Sequence, residues 1–283
     1  MAITFRGVVA VPVDNGAQAG PTITMTELAG SAEGDLLVVL VPYRGSQSLH
    51  TGDIVPNNHG GKAWSFERSA QQTNATLRMF WARRPAGTWV NPTFSVTDAA
   101  GNPDAAATAA LTAVMLVFQP SSPGKWWVPN VFPRITIPAA PLTPFTMTIA
   151  SETTVTKHGS QAHVAVGAFA MADANTLDTL TGTGWTQSGL AAQYRNTTGA
   201  DQCLGLAYQI QSTSDVLNAV NLNQETLGGD AYATCIAAFT EVDLPSGGSG
   251  AISFLQSKSA HAAAATFASA VPCSIWMVAG GME

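Results

Sequence analysis

The hydrophobic pattern along the chain predicts short β-strands. Residues 36–41 form an apolar run rich in β-branched side chains, which begins after Gly34-Asp35 and ends at Pro42. The run is too short for a core helix and has no 3.6-residue period, so it predicts a strand buried on both faces. A weaker run of the same kind covers residues 163–171. Shorter segments alternate as half-buried strands do, among them residues 22–26, 92–97 and 145–150.

Two copies of one unit follow each other along the chain. Trp185 lies 121 residues after Trp64, and Phe239 lies 121 residues after Phe118. In each copy a buried strand is followed by a loop that ends before the tryptophan. An alternating strand, a strand with an aromatic residue and an Ala/Thr-rich closing strand then follow. Constant spacing between matching landmarks indicates a duplicated unit. We expect Trp64 and Trp185 to occupy equivalent core positions.

Many short strands separated by turn residues, without a convincing long helix, predict an all-β protein. We expect two tandem antiparallel β-sandwich domains of jelly-roll type, at residues 1–121 and 145–247. A stretch rich in proline, residues 122–144, contains Trp126 and Trp127. Because proline fixes φ and removes a backbone donor, this stretch is predicted to be an extended, ordered linker.

The C-terminal tail, residues 248–283, resembles the start of a third unit. Ile252-Ser253-Phe254 echoes Ile3-Thr4-Phe5, and residues 274–278 echo the buried strand. Because unpaired strands are costly, we expect the tail to add a strand to an existing sheet, in its own chain or in a neighbour. A helix is the open alternative for residues 261–265.

Composition points away from nucleic-acid binding. Charged residues make up 11% of the chain and the formal net charge is −6, whereas an ordinary soluble domain has about 25% charged residues. A nucleic-acid interface needs a basic face. The densest basic group is expected to lie on solvated strand edges and turns; it consists of Lys62, Arg78, Arg83 and Arg84. A surface with so few long charged side chains loses little entropy when another protein covers it.

The remaining composition predicts a soluble protein made in a cytoplasm. The N-terminus has neither the basic nor the apolar region of a secretion signal. No run reaches the roughly 18 apolar residues of a membrane helix, so no membrane partner is expected. Cys203, Cys235 and Cys273 are too far apart in sequence for a metal motif, and their odd number leaves at least one free or paired with another chain.

No pattern of catalytic residues stands out. The chain lacks a Walker loop, H-E-x-x-H, paired C-x-x-C and G-x-S-x-G. His158 and His163 are five residues apart, which places them on opposite faces of a strand. We therefore expect no catalytic residue, no metal ligand and no cofactor. A glycosidase pair of carboxylates stays open as an alternative, because scattered Asp and Glu residues do not reveal spatial pairs.

The order of motifs resembles a known group of proteins. The resemblance rests on the order of five features along the chain. These are Gly34-Asp35 with the Leu-Leu-Val-Val run, a Gly/Pro loop, Trp64 with an alternating strand, an aromatic strand and an Ala-rich closing strand. It is similar to β-sandwich virion proteins of tailed bacteriophages: head-decoration (cement), collar, minor tail and fibre proteins. The resemblance covers residues 3–119 and 145–242. It implies a non-enzymatic structural role, a location in the virion and a trimer or another ring.

The expected partners are other virion proteins, such as the major capsid protein or tail and collar proteins, together with further copies of this chain. The covered apolar surface that an assembly protein needs is predicted at six residues: Trp126, Trp127, Ile275, Trp276, Met277 and Val278. The alternative is an adhesin module that binds carbohydrate through exposed aromatic side chains, with Trp89, Trp126 or Trp127 as the platform.

Overall fold

The computed structural model describes fifteen segments of the chain. They are residues 2–11, 22–44, 54–57, 59–72, 75–97, 112–130, 146–149, 162–171, 183–187, 194–196, 202–211, 220–223, 232–243, 253–256 and 263–266. None of these residues is helical, and every strand pair among them is antiparallel. The prediction of an all-β protein is therefore confirmed.

Eighteen strands account for most of the described residues. They are β1 (Thr4–Val11), β2 (Thr22–Thr24), β3 (Leu36–Arg44), β4 (Ile54–Pro56), β5 (Ser65–Gln72), β6 (Ala75–Arg83), β7 (Thr93–Val96), β8 (Ala113–Gln119), β9 (Trp126–Asn130), β10 (Thr146–Ile149), β11 (His163–Met171), β12 (Thr186–Gln187), β13 (Tyr194–Asn196), β14 (Gln202–Gln211), β15 (Val220–Asn223), β16 (Tyr232–Val242), β17 (Ser253–Gln256) and β18 (Ala263–Thr266). The chain divides into two compact units, residues 1–244 and 245–283.

The first copy of the repeat builds a five-stranded sheet in the order β1-β8-β3-β6-β5. Its middle strand is β3, the strand that the apolar run predicted. Alternate side chains of β3 point to opposite faces, as strand geometry requires. Leu37 and Val39 belong to a core cluster that includes Ile23, Phe94 and Val96 of a three-stranded sheet, β2-β7-β4. One face of the five-stranded sheet is thus covered by the three-stranded sheet.

The second copy builds a six-stranded sheet with the matching strand order. Its order is β12-β14-β11-β16-β9, and β13 also pairs with β14. Val38 of β3 pairs with Trp81, and Val166 of β11 pairs with Tyr208. Trp81 in turn pairs with Ser65, and Tyr208 pairs with Thr186. Trp64 immediately precedes Ser65, and Trp185 immediately precedes Thr186. Each tryptophan is 8% exposed. The two tryptophans therefore hold matching register positions, as expected.

The two large sheets share one core. A single buried cluster contains Leu36, Val38 and Leu40 of β3 together with Val164 and Val166 of β11. The rings of Trp81 and Phe239 lie 5.6 Å apart across this core. The inward residues of β16 are mostly small: Ala233, Cys235, Ala237 and Phe239. Cα atoms of β16 come within 8 Å of β5 and β6, closer than the roughly 10 Å between stacked sheets in general. Small side chains explain this close approach.

The predicted linker contributes a strand to the second sheet. Within residues 122–144, Trp126–Asn130 form β9, which pairs with β16 at the edge of the six-stranded sheet. Pro129 is tolerated there because an edge strand leaves one row of backbone groups without a ladder partner. Residues 1–244 form one compact unit, and the division into two domains at 121 and 145 stays a prediction.

The second compact unit is described at two strands. β17 and β18 pair antiparallel and form a two-stranded sheet. Of the tail segment for which a helix was the alternative, residues 263–265 belong to β18, so the helix alternative is wrong at these positions. Residues 261–262 lie outside the described residues.

Candidate functional site

Trp127, one of the six predicted assembly residues, lies in the core of its own chain. It is the second residue of the edge strand β9, after Trp126, is 1% exposed and belongs to the cluster that both large sheets share. Its indole Nε1 donates a hydrogen bond of 2.9 Å to the backbone oxygen of Gly34. Trp127 thus ties the second copy to the turn that precedes β3.

Trp126, its neighbour, is half-buried. The guanidinium carbon of Arg83 lies 4.8 Å from the centre of the Trp126 ring, a distance typical of cation–π contacts. The other four predicted assembly residues, Ile275, Trp276, Met277 and Val278, lie outside the described residues. Their role in assembly stays a prediction.

An ion pair joins the buried Arg84 to the exposed Glu27. Arg84, the residue after β6, donates from Nη2 to Oε1 of Glu27 at 2.6 Å, and its Nε donates to the same oxygen at 3.1 Å. The Ser31 hydroxyl donates to Glu27 Oε1 at 2.8 Å. The Arg84 hydrogen bond is the main reason that the pKa of Glu27 is lowered. Arg84 is buried, so the expectation that it lies solvated on a strand edge or turn is wrong.

Trp89 lies beside Arg84, and His59 lies beside Trp89. His59 opens a tight turn with Gly60 and Gly61 at φ 53° and 76°, the positive values that a two-residue hairpin loop requires. The His59 ring is fully buried and lies 4.1 Å from the Trp89 ring, centre to centre. Since a carbonyl only accepts, His59 Nδ1 carries the proton and donates to the Val90 oxygen at 2.6 Å.

The surroundings of His59 favour its neutral form. Burial is the largest cause that lowers the pKa of His59, and the nearby Arg84 charge acts in the same direction. The Val90 hydrogen bond and the Glu27 charge oppose these effects. Among the described residues, no hydrogen-bond partner reaches His59 Nε2. A protonated His59 would therefore be a poorly compensated buried charge.

The buried carboxylate of Asp35 anchors the edge strand β1. Asp35 accepts from the Ala32 N–H at 2.7 Å and forms an ion pair with Arg6 Nε at 2.8 Å. The register of β1 shifts between Phe5 and Gly7, so Arg6 sits in a bulge. A bulge re-aims a side chain, and here it directs Arg6 to Asp35. Burial raises the pKa of the Asp35 carboxyl.

Two successive arginines each face a carboxylate and an indole. Arg83 lies 3.9 Å from Glu33 and next to the Trp126 ring. Arg84 pairs with Glu27, and its guanidinium carbon lies 5.9 Å from the centre of the Trp89 ring. Sequence reasoning missed the Glu27–Arg84 pair because 57 residues separate its members and no local motif marks them.

In the described segments, no group of three or more His, Cys, Asp and Glu residues could hold a metal ion. These segments also contain no helix that is long and apolar enough to cross a membrane. Cys203 and Cys235 are buried and form no disulfide among the described residues, and Cys273 lies outside the described residues.

Comparisons with known proteins do not assign the chain to a group. No protein-family model, no curated protein sequence and no solved structure matches it. The function therefore has to be argued from the residues of this chain.

Proposed function

We propose that this chain is a non-enzymatic structural protein of a bacteriophage virion, most specifically a decoration (cement) protein on the head surface. Its partners are further copies of itself and other virion proteins, with the major capsid protein first among them. The support in the sequence is the order of motifs around Gly34-Asp35 and Trp64, which resembles phage β-sandwich proteins.

The observation that carries the proposal is the second compact unit, residues 245–283. Its described strands, β17 and β18, form a sheet of only two strands. A sheet of two strands is at best marginally stable in water, and it needs further strands or a packed face to persist. A covering surface from another protein supplies both, so the unit suits an attachment device.

The character of the first unit supports the same role. The Arg84 and Asp35 side chains are buried, and each forms an ion pair within its own chain. Charged residues amount to 11% of the chain, so few flexible ionic side chains have to be ordered or desolvated when a partner covers the surface. A compact, weakly charged body with an attachment segment fits a protein that covers a particle.

Deletion of residues 248–283 tests the proposal. We expect the shortened chain to form smaller oligomers, with fewer copies per particle in light scattering. We also expect it to stop sedimenting with phage particles. Unit one should stay folded, because its strands end at Val242. A matched control replaces Lys258 and His261 by serine and should keep both properties. If the deletion variant keeps the same number of copies per oligomer and binds phage particles as well as the full chain, the proposal is wrong.

A carbohydrate-binding adhesin is the second candidate, and Trp89 is the observation that favours it. Its indole is partly exposed, rests on His59 and donates from Nε1 to Asn91 Oδ1 at 2.8 Å. The next residue, Val90, is 48% exposed. An immobilised oligosaccharide array provides the test. Binding that Trp89→Ala abolishes and Trp126→Ala preserves supports this candidate, and absence of binding by the full chain excludes it on that array.

A further inference from the structure

The strand β1 presents an open edge. It is the terminal strand of the five-stranded sheet and pairs with β8 on its inner side. No other described strand pairs with its outer side. After the bulge, residues 7–11 pair in continuous register with β8, from Gly7–Val117 to Val11–Ala113. The outer side therefore carries a regular row of backbone N–H and C=O groups that a further strand can join.

This edge lacks the devices that protect other sheet edges. Residues 8–11 are Val-Val-Ala-Val, without charge or proline. The opposite edge strand, β5, contains Glu67 and Arg68 and has a register shift between Phe66 and Arg68. The edge strand β9 contains Pro129. Charges, proline and bulges are the usual means of preventing strand addition, so β1 is the unprotected edge among these three.

The charge at the start of β1 does not protect the edge either. Arg6 is held by Asp35, with Nε and Oδ2 at 2.8 Å. Its guanidinium is thus committed to the chain's own core. A strand that approaches residues 7–11 therefore meets no uncompensated cation.

The two faces of β1 specify what the added strand must look like. Val8 and Ala10 pack against the core that the two large sheets share. Val9 and Val11 pack against the core on the other face. A strand next to β1 continues both layers, so it needs apolar side chains on both faces.

Outside the described strands, one segment of the chain meets this requirement. Residues 275–278, Ile-Trp-Met-Val, are the only run there of four consecutive large apolar residues that is free of proline and charge. With Ser274 the segment has five residues, the same length as the regular stretch 7–11. The Pro-Ser-Gly-Gly-Ser-Gly stretch from Pro245 to Gly250 joins the tail to unit one, and such a composition is typical of a flexible connection.

We propose that the outer edge of β1 accepts residues 274–278 of a second copy of this chain as an additional strand. Main-chain pairing provides the affinity and the alternating apolar side chains provide the fit. The choice of a second copy rather than the chain's own tail rests on the proposed function, which requires self-association. Each chain then donates one strand and accepts one, so the exchange closes either as a reciprocal dimer or as a ring of more copies.

Disulfide trapping between two full-length populations tests the proposal. One population carries Val8→Cys or Val9→Cys, and the other carries Met277→Cys with a mass tag. Cys273 is replaced by serine in both, whereas the buried Cys203 and Cys235 stay. Neighbouring antiparallel strands have Cα atoms about 4.5–5.5 Å apart, within the range that a disulfide bridges. The expected result is a mixed disulfide dimer for one or both β1 positions.

A matched control places the cysteine at Thr88, an exposed residue of another turn, and should give no mixed dimer. Equal cross-linking from Thr88→Cys, or none from either β1 position, overturns the proposal. A concentration-independent cross-link within a single Val9→Cys/Met277→Cys chain, without mixed dimers, shows that the tail serves its own sheet and also overturns it. If light scattering still shows an oligomer when no β1 cross-link forms, the edge proposal fails while the proposed function stands.

Discussion

Substitution of Trp127 tests whether the two copies of the repeat are energetically one body. Trp127 lies in the edge strand β9 of the six-stranded sheet, is 1% exposed and contacts the turn before β3 through the Gly34 oxygen. Trp127→Ala removes a whole indole from a packed core. Losses of this kind cost about 3–5 kcal/mol, because transfer and cavity terms add.

Trp127→Phe separates the hydrogen bond from most of the packing. The ring is largely kept, but the Nε1 donor at 2.9 Å from the Gly34 oxygen is lost. A buried carbonyl deprived of its donor costs about 1–3 kcal/mol. We therefore expect Phe at this position to be destabilising by roughly a third to a half of the alanine effect.

Trp126→Ala is the matched control. The neighbouring ring is half-buried and its described contact is the Arg83 guanidinium at 4.8 Å. An exposed contact of this type is worth about 0.5–1 kcal/mol. The contrast between adjacent tryptophans of one strand separates core burial from the loss of an aromatic side chain in general.

Urea unfolding followed by circular dichroism is the assay, at one fixed protein concentration because self-association changes apparent stability. With an m-value of about 3 kcal/mol/M, Trp127→Ala lowers the midpoint by about 1–1.7 M. We expect one transition, since the core cluster contains residues of both copies. A shift no larger than that of Trp126→Ala, or two transitions of which only one moves, would refute this reasoning.

Three further predictions follow from the described contacts. Because burial lowers the pKa of His59, the stability that its neutral form contributes is full above pH 6.5 and is lost as the pH falls through the folded-state pKa. The melting temperatures at pH 7 and pH 5 should therefore differ less in His59→Gln than in the parent. An equal difference in both proteins contradicts the prediction. Glu27→Gln should cost about 0.5–1 kcal/mol in urea at pH 7, since the carboxylate is partly solvated. This loss should shrink below pH 4.5, because the pKa of Glu27 is lowered in the folded chain; a loss independent of pH would count against the Arg84 pairing. Trp64→Ala and Trp185→Ala should each cost about 3–5 kcal/mol, and a large difference between the two would argue against equivalent positions.

Of the candidate site, sequence reasoning identified some members and missed the geometry. Trp126 and Trp127 stood out as adjacent aromatic residues in a proline-rich stretch, but their opposite environments did not. Successive residues of a strand face opposite ways, and only the position of β9 against β16 shows which ring turns inward. Glu27 and Arg84 carried no signal at all, because their pairing depends on two turns that meet across the fold.

The sequence by itself determined the all-β antiparallel class and many of the strands, although β9 lies in the stretch that was predicted to be a linker. Short apolar runs bounded by glycine and proline allow little besides strands, and the constant spacing from Trp64 to Trp185 reflects duplication that folding does not alter. Only the tertiary structure decided what each face covers. Leu36 and Leu37 look alike in sequence, yet one packs toward the second large sheet and the other toward the small sheet. Any apolar surface can bury these side chains, so their residue types do not identify the sheet that covers them. The covering sheet is determined by shape and by small residues, such as those of β16, that allow two sheets to approach.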